Sequence, residues 1–460
     1  MRYAAAFLAL ALAAAPAAHA QTNKQAEDQA LEMLKRGIAF RTVAGEGNQT
    51  FDYATYLKGQ LVAGGFADAD VRVEKSDDTA YMIVRYRGTA AAKKPIYISA
   101  HMDVVEAKPA DWTRDPFTPV IENGYIWGRG ASDMKYDLST VIATLIQLKR
   151  EGFKPGREIV LLASGDEETS MKTTQKMAAE FHDAEMLLNV DGGGGEVDEA
   201  GKAVIFGIQG AEKTYADYEL TFTNAGGHSS APGKTNAIYS LSRALGKIAS
   251  YQFPAEINEI TRAGFEAGLA TADAPMAEAT RRFLANKDDP QALAYLRSYP
   301  GLIGQTGTTC VATTVQAGHA TNALPQRATA NVNCRIFPGT STKMVLETLT
   351  QVVGDPELQI KELDSGTVAS PASPLRPDLM KLITRLIHAR FPGVPIVPAM
   401  SSGASDSMWF RARGIPSYGV SPIFMKSSDG FAHGLNERTP LSEIAPSIVY
   451  YRALLREVAK

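Results

Sequence analysis

The sequence predicts an α/β protein with a mostly parallel sheet, into which a smaller domain is inserted. Three apolar runs without alternation, at residues 95–100, 159–163 and 186–190, are typical of strands buried on both faces. Residues 134–150 carry apolar side chains at helical spacing and end near Gly152. Strands that alternate with helices build a parallel sheet covered on both faces. The ligand site of such a sheet lies beyond the carboxyl ends of its strands.

The pattern changes at about residue 211, because Tyr218, Leu220 and Phe222 alternate as in a half-exposed strand. With the elements that follow, this strand forms a βαββαβ unit of the ferredoxin-like type. Those elements are a helix at 235–249, strands at 310–317 and 327–337, a helix at 341–352 and a strand at 356–363. A helical hairpin is expected as an addition at 250–309.

These patterns divide the chain into four segments. The segments are a leader at 1–20, the first part of the larger domain at 21–210, the inserted domain at 211–365 and the second part of the larger domain at 366–460. A Ser/Pro-rich linker at 366–377 opens the last segment.

Residues 1–20 have the pattern of a secretory signal peptide. Arg2 supplies a positive start, residues 4–15 are apolar, and Ala-His-Ala at 18–20 fits a cleavage site. The apolar stretch is too short for a membrane-spanning helix, and a buried N-terminal helix is the alternative. We therefore expect a mature chain from about Gln21 that is exported, to the periplasm or the medium.

The charge balance disfavours several classes of partner. The chain has 47 Lys+Arg and 50 Asp+Glu, and removal of Arg2 with the leader leaves 46 against 50, a formal charge of −4. No basic cluster indicates nucleic acid or an anionic membrane surface. We expect no nucleic acid partner, and no membrane association after cleavage of the leader.

Cys310 and Cys334 are the two cysteines of the chain. Export makes one disulfide bridge possible. Because Val332, Cys334 and Ile336 alternate on one face of a strand, a buried free thiol fits as well. Free cysteines are the favoured expectation.

Metal-binding side chains follow the predicted strands. His101 comes directly after the first run, and Asp103 points the same way two residues later in extended backbone. A metal-bound histidine commonly donates its other ring N–H to a carboxylate, and Asp103 suits this role. Asp133 follows a tight Gly-x-Gly turn before the helix at 134–150. The structural alternatives are a strand-end histidine–acid pair and, for Asp133, a helix N-cap.

Glu167 and Glu168 follow the second run, where successive side chains diverge, so that one can face a metal and the other a bound water. Adjacent buried carboxylates are costly without a cation, although a solvated loop end is the alternative. Asp191 follows the third run, and His433 lies in a loop before the last helix. Imidazole and carboxylate together favour a borderline cation such as Zn²⁺.

Eight motifs in one order connect these residues to a known family. They are SAHMDVV, GRGASDMK, SGDEE, NVDGG, GGHSSAP, CRIFPG, SGASDS and HGLNE. The chain resembles the co-catalytic di-zinc metallopeptidases, which include carboxypeptidase G, carboxypeptidase S, aminoacylase, carnosinase-type dipeptidases and succinyl-diaminopimelate desuccinylase. The resemblance covers residues 28–456. It implies a parallel-sheet catalytic domain and identifies the inserted βαββαβ unit with the family's lid, which often forms homodimers.

The resemblance implies two divalent metal ions, Zn²⁺ in the first place and Co²⁺ or Mn²⁺ as alternatives. His101 and Asp191 would bind one ion, Glu168 and His433 the other, and Asp133 both. Three carboxylates against two divalent ions leave about one positive charge, which a bridging hydroxide would neutralise.

The resemblance also assigns the groups that move protons and stabilise charge. Glu167 would take the proton of the bridging water and hand it to the leaving amine. Asp103 would orient the metal-bound His101. His228 resembles the histidine that reaches the site of a neighbouring subunit to stabilise the oxyanion. A turn histidine in a Gly/Ser-rich loop is the alternative for His228.

Arg335 corresponds to the arginine that grips the free carboxylate of the substrate. It points away from the apolar face of its strand, and a guanidinium suits bidentate binding of a carboxylate. A surface arginine is the alternative. Asn322 and Gly403 match positions that line the same pocket.

We expect an exported zinc peptidase of the dipeptidase or carboxypeptidase type, acting on small peptides with a free carboxylate. Asp191 favours this branch, because members specialised for acylated substrates often carry glutamate there. An N-acyl-amino-acid hydrolase on the same site is the alternative. A more remote alternative is an inactive, metal-bound peptide-binding protein, against which the presence of Glu167 argues.

Overall fold

The computed structural model describes residues 23–90 and 92–460. The signal peptide predicted at 1–20 lies outside the described residues. Throughout the described ranges, every helix is too short or too polar to cross a membrane.

The chain forms two compact units. The first unit contains the described residues up to Ile208, together with Arg376–Ile396 and Arg413–Lys460. The second unit contains Gln209–Leu375 and Val397–Ala412. The short segment Val397–Ala412 therefore groups with the second unit rather than with the residues around it in sequence.

The first unit is built on a mixed sheet with a parallel centre. The central strands, which lie side by side, are Ile159–Ser164, Ile96–His101, Met186–Asn189 and Ser417–Gly419. The outer strands are Val71–Ser76 and Thr79–Tyr86 on one side, and Ala203–Glu212, Gly194–Val197 and Phe424–Lys426 on the other. Ala203–Glu212 pairs also with Ile396–Ser401, and the residues of these two strands from Gln209 and from Val397 onwards are assigned to the second unit. Every residue of the first three central strands is buried, which explains the absence of alternation in their sequences. The predicted α/β class is confirmed.

Helices and a small second sheet complete this unit. The helices are residues 23–39, Thr50–Ala63, Lys135–Arg150, Lys172–Glu180, Pro377–His388 and Ile444–Val458. The small sheet has the strands Val120–Glu122, Tyr125–Trp127 and Arg438–Pro440. Lys135–Arg150 packs against both Ile96–His101 and Ile444–Val458, and all of its residues up to Leu148 are buried. The apolar stripe in its sequence thus belongs to a central helix enclosed on all sides.

Asp137 is a buried carboxyl group on this helix. It accepts hydrogen bonds from Tyr451 Oη at 2.6 Å and from Ser421 Oγ at 3.0 Å. Burial raises the pKa of Asp137 to about 7, although the two hydrogen bonds oppose the shift. Between its ordinary pKa and this value, the folded state keeps a proton that the unfolded state has lost. Stability therefore falls as the pH rises through that window.

We expect Asp137→Asn to become more stable relative to the wild type as the pH rises from about 4 to about 8. Asparagine keeps an acceptor for Tyr451 and cannot ionise. Ionisation of Asp137 lowers the free energy of unfolding of the wild type by at most about 4 kcal/mol, at about 1.4 kcal/mol per pH unit. Urea unfolding across this range measures the difference. Asp111→Asn, at an exposed position, is the control. A difference between Asp137→Asn and wild type that does not change with pH would contradict the expectation.

The second unit contains a four-stranded antiparallel sheet. Its strands lie in the order Thr309–Ala317, Arg327–Ile336, Thr214–Thr223 and Gln359–Leu363. The helices Ala237–Ser250 and Thr342–Val353 pack on this sheet through a shared apolar core. This is the order of a βαββαβ unit of the ferredoxin-like type. A two-stranded ribbon joins Gly227–His228 to Ala323–Leu324, and the short helix Ser407–Arg411 follows Ile396–Ser401 in the chain.

Four helices, rather than the expected hairpin, occupy the stretch between the first helix and second strand of this unit. They are Glu259–Gly268, Ala274–Ala285, Pro290–Leu296 and Pro300–Ile303. Asp273 and Asp289 cap the second and third helices, and a proline follows each cap within the first turn. Because proline is favoured in the first turn and disfavoured further inside, each proline begins a new helix.

Cys310 and Cys334 form a disulfide, so the expectation of free cysteines is wrong. They are register partners in the antiparallel strands Thr309–Ala317 and Arg327–Ile336. Side chains directly opposite each other in such a pair have neighbouring Cβ atoms. The alternation within one strand shows that Cys334 is buried, but it does not show which residue lies opposite.

Candidate metal centre

Two candidate ligands lie at the carboxyl edge of the sheet in the first unit. His101 is the last residue of Ile96–His101, and Asp191 comes two residues after Met186–Asn189. These strands are parallel neighbours, so their carboxyl ends meet. Nε2 of His101 lies 3.7 Å from Oδ2 of Asp191.

Asp133 lies between two histidines. Its Oδ1 is 3.1 Å from Nε2 of His101, and its Oδ2 is 3.2 Å from Nε2 of His433. Nε2 of His433 is also 2.9 Å from Oε2 of Glu168. Two of the groups whose ligand atoms lie within 4.8 Å of one another contain Asp133: His101 with Asp133 and Asp191, and Asp133 with Glu168 and His433. Asp133 belongs to both groups and turns one oxygen to each histidine.

The chemistry of this donor set suits two divalent cations. Burial lowers the pKa of His101, but the surrounding carboxylates, Asp191 first, outweigh it and raise that pKa well above its ordinary value. Hydrogen bonds to Asp133 and Glu168 raise the pKa of His433 to about 10. The acidic cluster thus draws positive charge onto both imidazoles. Divalent cations held by the neutral imidazoles and the carboxylates meet the same electrostatic need.

Glu437 fixes the loop that carries Asp133. It is fully buried, and its carboxylate accepts hydrogen bonds from the backbone N–H groups of Gly130 at 2.9 Å, Ser132 at 2.7 Å and Asp133 at 2.9 Å. Nη1 of Arg129 donates to the same carboxylate at 2.8 Å. The place of Glu437 in the motif HGLNE is the one signal for it in the sequence, and that motif does not indicate its role.

Asp103 holds the glutamate pair more directly than it holds His101. Its carboxylate accepts hydrogen bonds from the backbone N–H groups of Glu167 at 3.1 Å and Glu168 at 3.0 Å. Nδ1 of His101 lies 3.0 Å from the backbone carbonyl of Asp103 but 3.6 Å from its carboxylate. A hydrogen bond at 3.6 Å is too long, so the carbonyl orients the imidazole. The carboxylate, which was expected in this role, lies farther from the imidazole than the carbonyl does.

Glu167 lies beside the ligands and is itself buried. Its side chain and those of His101 and Glu168 have ligand-type atoms within 4.8 Å of one another. Glu168 faces His433, as described above. The two glutamates therefore share His101 as a neighbour, and Glu168 in addition faces His433.

The second unit contains the remaining candidates, in two places. His228 is exposed in the ribbon strand that pairs with Ala323–Leu324. The backbone N–H of Ser229 donates to the carbonyl of Asn322 at 3.1 Å, so His228 and Asn322 are neighbours. Nδ1 of His228 lies 2.7 Å from the hydroxyl of Ser230.

Arg335 and Gly403 lie near each other at the second of these two locations. Nη1 of Arg335 donates to the carbonyl of Ser402 at 3.2 Å, directly before Gly403. The guanidinium carbon of Arg335 lies 4.7 Å from the ring centroid of Tyr215. Tyr215 lies three positions before the alternating pattern that begins at Tyr218, and no sequence motif distinguishes it.

Comparison with known proteins places the chain among enzymes that hydrolyse amide bonds. It belongs to the peptidase family M20/M25/M40, whose family model matches residues 97–457. This confirms the resemblance drawn from the eight motifs.

Relatives of two kinds align with most of this chain. Probable carboxypeptidase S-like 2 of Dictyostelium discoideum is 26% identical over 398 residues, which cover 82% of this chain and 74% of the relative. The N-fatty-acyl-amino acid synthase/hydrolase PM20D1 of Xenopus tropicalis is 29% identical over 450 residues, covering 93% and 85%. The crystal structure of the M20 family metallo-carboxypeptidase Sso-CP2 from Sulfolobus solfataricus has the same fold, with a TM-score of 0.72 and 20% identity over 93% of this chain and 98% of that one.

Proposed function

We propose that this protein is an exported, metal-dependent hydrolase that cleaves the amide bond preceding a residue with a free carboxylate. The observation that carries the proposal is the Asp133 carboxylate, which turns one oxygen to each of two ligand groups. A shared carboxylate between two such groups suits a pair of metal ions.

The ligand groups assign a role to each side chain. His101 and Asp191 would hold one ion, Glu168 and His433 the other, and Asp133 both. The bound ions, Zn²⁺ in the first place, supply an activated water and polarise the carbonyl of the substrate. The fixed loop around Glu437 keeps Asp133 in place for both.

Glu167 is the general base in this proposal. It takes the proton of the attacking water and then donates it to the leaving amine. Its side chain is 8% exposed, so bulk water does not compete freely for this proton. The hydrogen bond from its backbone N–H to the Asp103 carboxylate fixes the backbone position from which the Glu167 side chain extends.

Arg335 would bind the free carboxylate of the substrate. We expect Arg335→Ala to raise KM at least about tenfold for such a substrate, because a hydrogen bond to a charged group contributes about 1.5–3 kcal/mol. The same substrate with a C-terminal amide should be affected little. Steady-state kinetics on the acid and amide pair measure both. Arg327→Ala, on the same strand, is the control, and an equal loss on acid and amide would contradict the proposal.

An N-acyl-amino-acid hydrolase is the second candidate, and the similarity to PM20D1 over 93% of this chain favours it. Both candidates cleave an amide next to a carboxylate-bearing residue, so the difference lies on the acyl side. A panel of dipeptides and N-acyl amino acids, run with zinc, cobalt and manganese, separates them by kcat/KM.

We also propose a homodimer formed through the second unit. Thr309–Ala317 is an edge strand of its sheet, and Val311 and Val315 are 61% and 57% exposed. An exposed apolar edge strand offers unpaired backbone groups to another chain. In this arrangement His228 of one subunit would serve the site of the other.

We expect the double variant Val311→Lys, Val315→Lys to be monomeric, because charges on an edge strand oppose pairing. Its activity should fall as far as that of His228→Ala. Light scattering and kinetics measure the two effects. Val449→Lys, at an exposed position of the first unit, is the control. A double variant that stays dimeric, or a wild type that is monomeric, would contradict this assembly.

Export is supported by the leader pattern at 1–20 and by the Cys310–Cys334 disulfide, since disulfides persist mainly in oxidising compartments. Mass spectrometry of the protein from its native cell tests it. A chain that starts near Gln21 and is recovered outside the cytoplasm is the expected result.

A further inference from the structure

Arg335 is a half-buried cation that makes no direct ion pair with the described residues, although Asp217 is an electrostatic neighbour. Among the described residues, no carboxylate oxygen lies within 4.0 Å of its guanidinium. Burial lowers the pKa of Arg335, and the charges of Tyr215 and Asp217 oppose this shift without outweighing it. Its Nη1 is engaged by the carbonyl of Ser402. A guanidinium has five N–H donors, so most of this group remains for an anion. The specificity of Arg335 for an anion therefore depends on the contacts that hold this long side chain in one orientation.

Tyr215 supplies a flat surface for this guanidinium. Tyr215 and Arg335 are register partners in the antiparallel strands Thr214–Thr223 and Arg327–Ile336. Their side chains consequently project from the same face of the sheet. The guanidinium carbon lies 4.7 Å from the ring centroid, within the range of a cation–π contact.

The ring is in turn held by a polar row on the same face. The hydroxyl of Tyr215 donates to Oδ2 of Asp217 at 2.6 Å. Oδ1 of Asp217 accepts hydrogen bonds from Nδ2 of Asn331 at 2.7 Å and from Nδ2 of Asn333 at 3.0 Å. Partial burial raises the pKa of Asp217, but these hydrogen bonds outweigh it and keep the carboxylate charged. Tyr215 is thus fixed at its hydroxyl while its face contacts the cation.

We propose that Tyr215 is a positioning residue that orients the Arg335 guanidinium and thereby sets the preference of the enzyme for substrates with a free carboxylate. The proposal rests on the function proposed above, in which Arg335 binds that carboxylate. The hydrogen bond to Ser402 restrains one nitrogen, and the ring restrains the plane of the guanidinium. Together they turn the remaining donors in one direction, which lowers the conformational cost of binding a carboxylate.

The contact between ring and cation, rather than the hydroxyl, carries the effect. Removal of the aromatic face should therefore matter more than removal of the hydroxyl. Tyr215→Leu and Tyr215→Met remove the face, and methionine does so at nearly full side-chain length. Tyr215→Phe keeps the face and loses only the hydrogen bond to Asp217.

The experiment measures kcat and KM of the zinc-loaded enzyme on a cleaved substrate and on its C-terminal amide. For Tyr215→Leu and Tyr215→Met we expect KM for the acid to rise about fivefold, equivalent to about 1 kcal/mol, with kcat nearly unchanged. The ratio of kcat/KM between acid and amide should fall by the same factor. Tyr215→Phe should stay within about twofold of the wild type, given the modest value of one hydrogen bond. Tyr299→Leu, at an exposed tyrosine of the same unit, is the control.

The outcomes are distinguishable. A ratio that falls with leucine and methionine but not with phenylalanine supports the proposal. If the ratio of kcat/KM between acid and amide is unchanged in Tyr215→Leu and Tyr215→Met, while Arg335→Ala lowers it, the role of Tyr215 is overturned and the proposed function remains intact. If Arg335→Ala also leaves the ratio unchanged, the carboxylate-binding function fails and the role of Tyr215 fails with it. Equal losses of kcat/KM on acid and amide would show a merely structural role, and would overturn the proposal as well.

Discussion

Glu167→Gln should lower kcat about a thousandfold, with KM, folding and metal content close to those of the wild type. Glutamine has the same shape but cannot take a proton, and general base catalysis commonly contributes a factor of about 10²–10⁴. The Glu167 backbone would still be held by Asp103, so the loop should keep its geometry. Kinetics on the best substrate of the panel, with metal analysis and thermal unfolding on the same sample, measure the effect.

Glu168→Gln is the matched control for this experiment. It is the adjacent residue and the same chemical change, but Glu168 faces His433 in a ligand group. Its variant should lose metal as well as activity. If Glu167→Gln turned over every substrate at the wild-type rate, the mechanism proposed here would be wrong. If the zinc-loaded wild type cleaved no peptide and no acyl amino acid, a metal-bound binding protein would be the better account.

Asp133→Ala should weaken the binding of both metal ions. One oxygen of this carboxylate faces each ligand group, so its loss removes a ligand from each. We expect the metal content after dialysis to fall from two ions per chain towards none. Activity should fall by a factor of about 10³ or more, because metal ions contribute several kcal/mol to such reactions. Elemental analysis and kinetics across a range of added zinc test this.

The variants Asp191→Ala and His433→Ala test whether the two metal ions share Asp133 as a ligand. Each residue belongs to one ligand group, so each variant should lose about one ion and keep the other. A loss from Asp133→Ala no greater than from these single-group variants would contradict a shared ligand. Circular dichroism and thermal unfolding control for a loop that no longer folds, since the N–H of Asp133 is bound by Glu437.

Strand patterns in the sequence predict that His101 and Asp191 lie close together, because the parallel sheet determines where the ends of its strands meet. His101 and Asp191 follow buried runs that become parallel neighbours, and carboxyl ends of such strands meet whatever their distance in sequence. The stretch at 250–309 is an exception, with four helices in place of the expected hairpin. Most other predicted helix and strand positions follow the pattern, since burial imposes a period on the sequence. Here local pattern and tertiary placement agree.

Features that depend on pairing between distant segments could not be predicted. The disulfide follows from the register of Cys310 against Cys334, which no single strand reveals. The contact between Tyr215 and Arg335 has the same origin. Glu437 accepts hydrogen bonds from a loop about 300 residues earlier in the chain. A lone glutamate in a motif does not indicate which N–H groups will donate to it.

The C-terminal origin of His433 and Glu437 has a consequence for the order of biosynthesis. Both residues follow Asp133 in the sequence by at least 300 positions. Until these have been synthesised, Asp133 lacks one of its two histidine neighbours, and its loop lacks the carboxylate that gathers the N–H groups. A chain that stops before His433 therefore cannot assemble the complete group of side chains around Asp133.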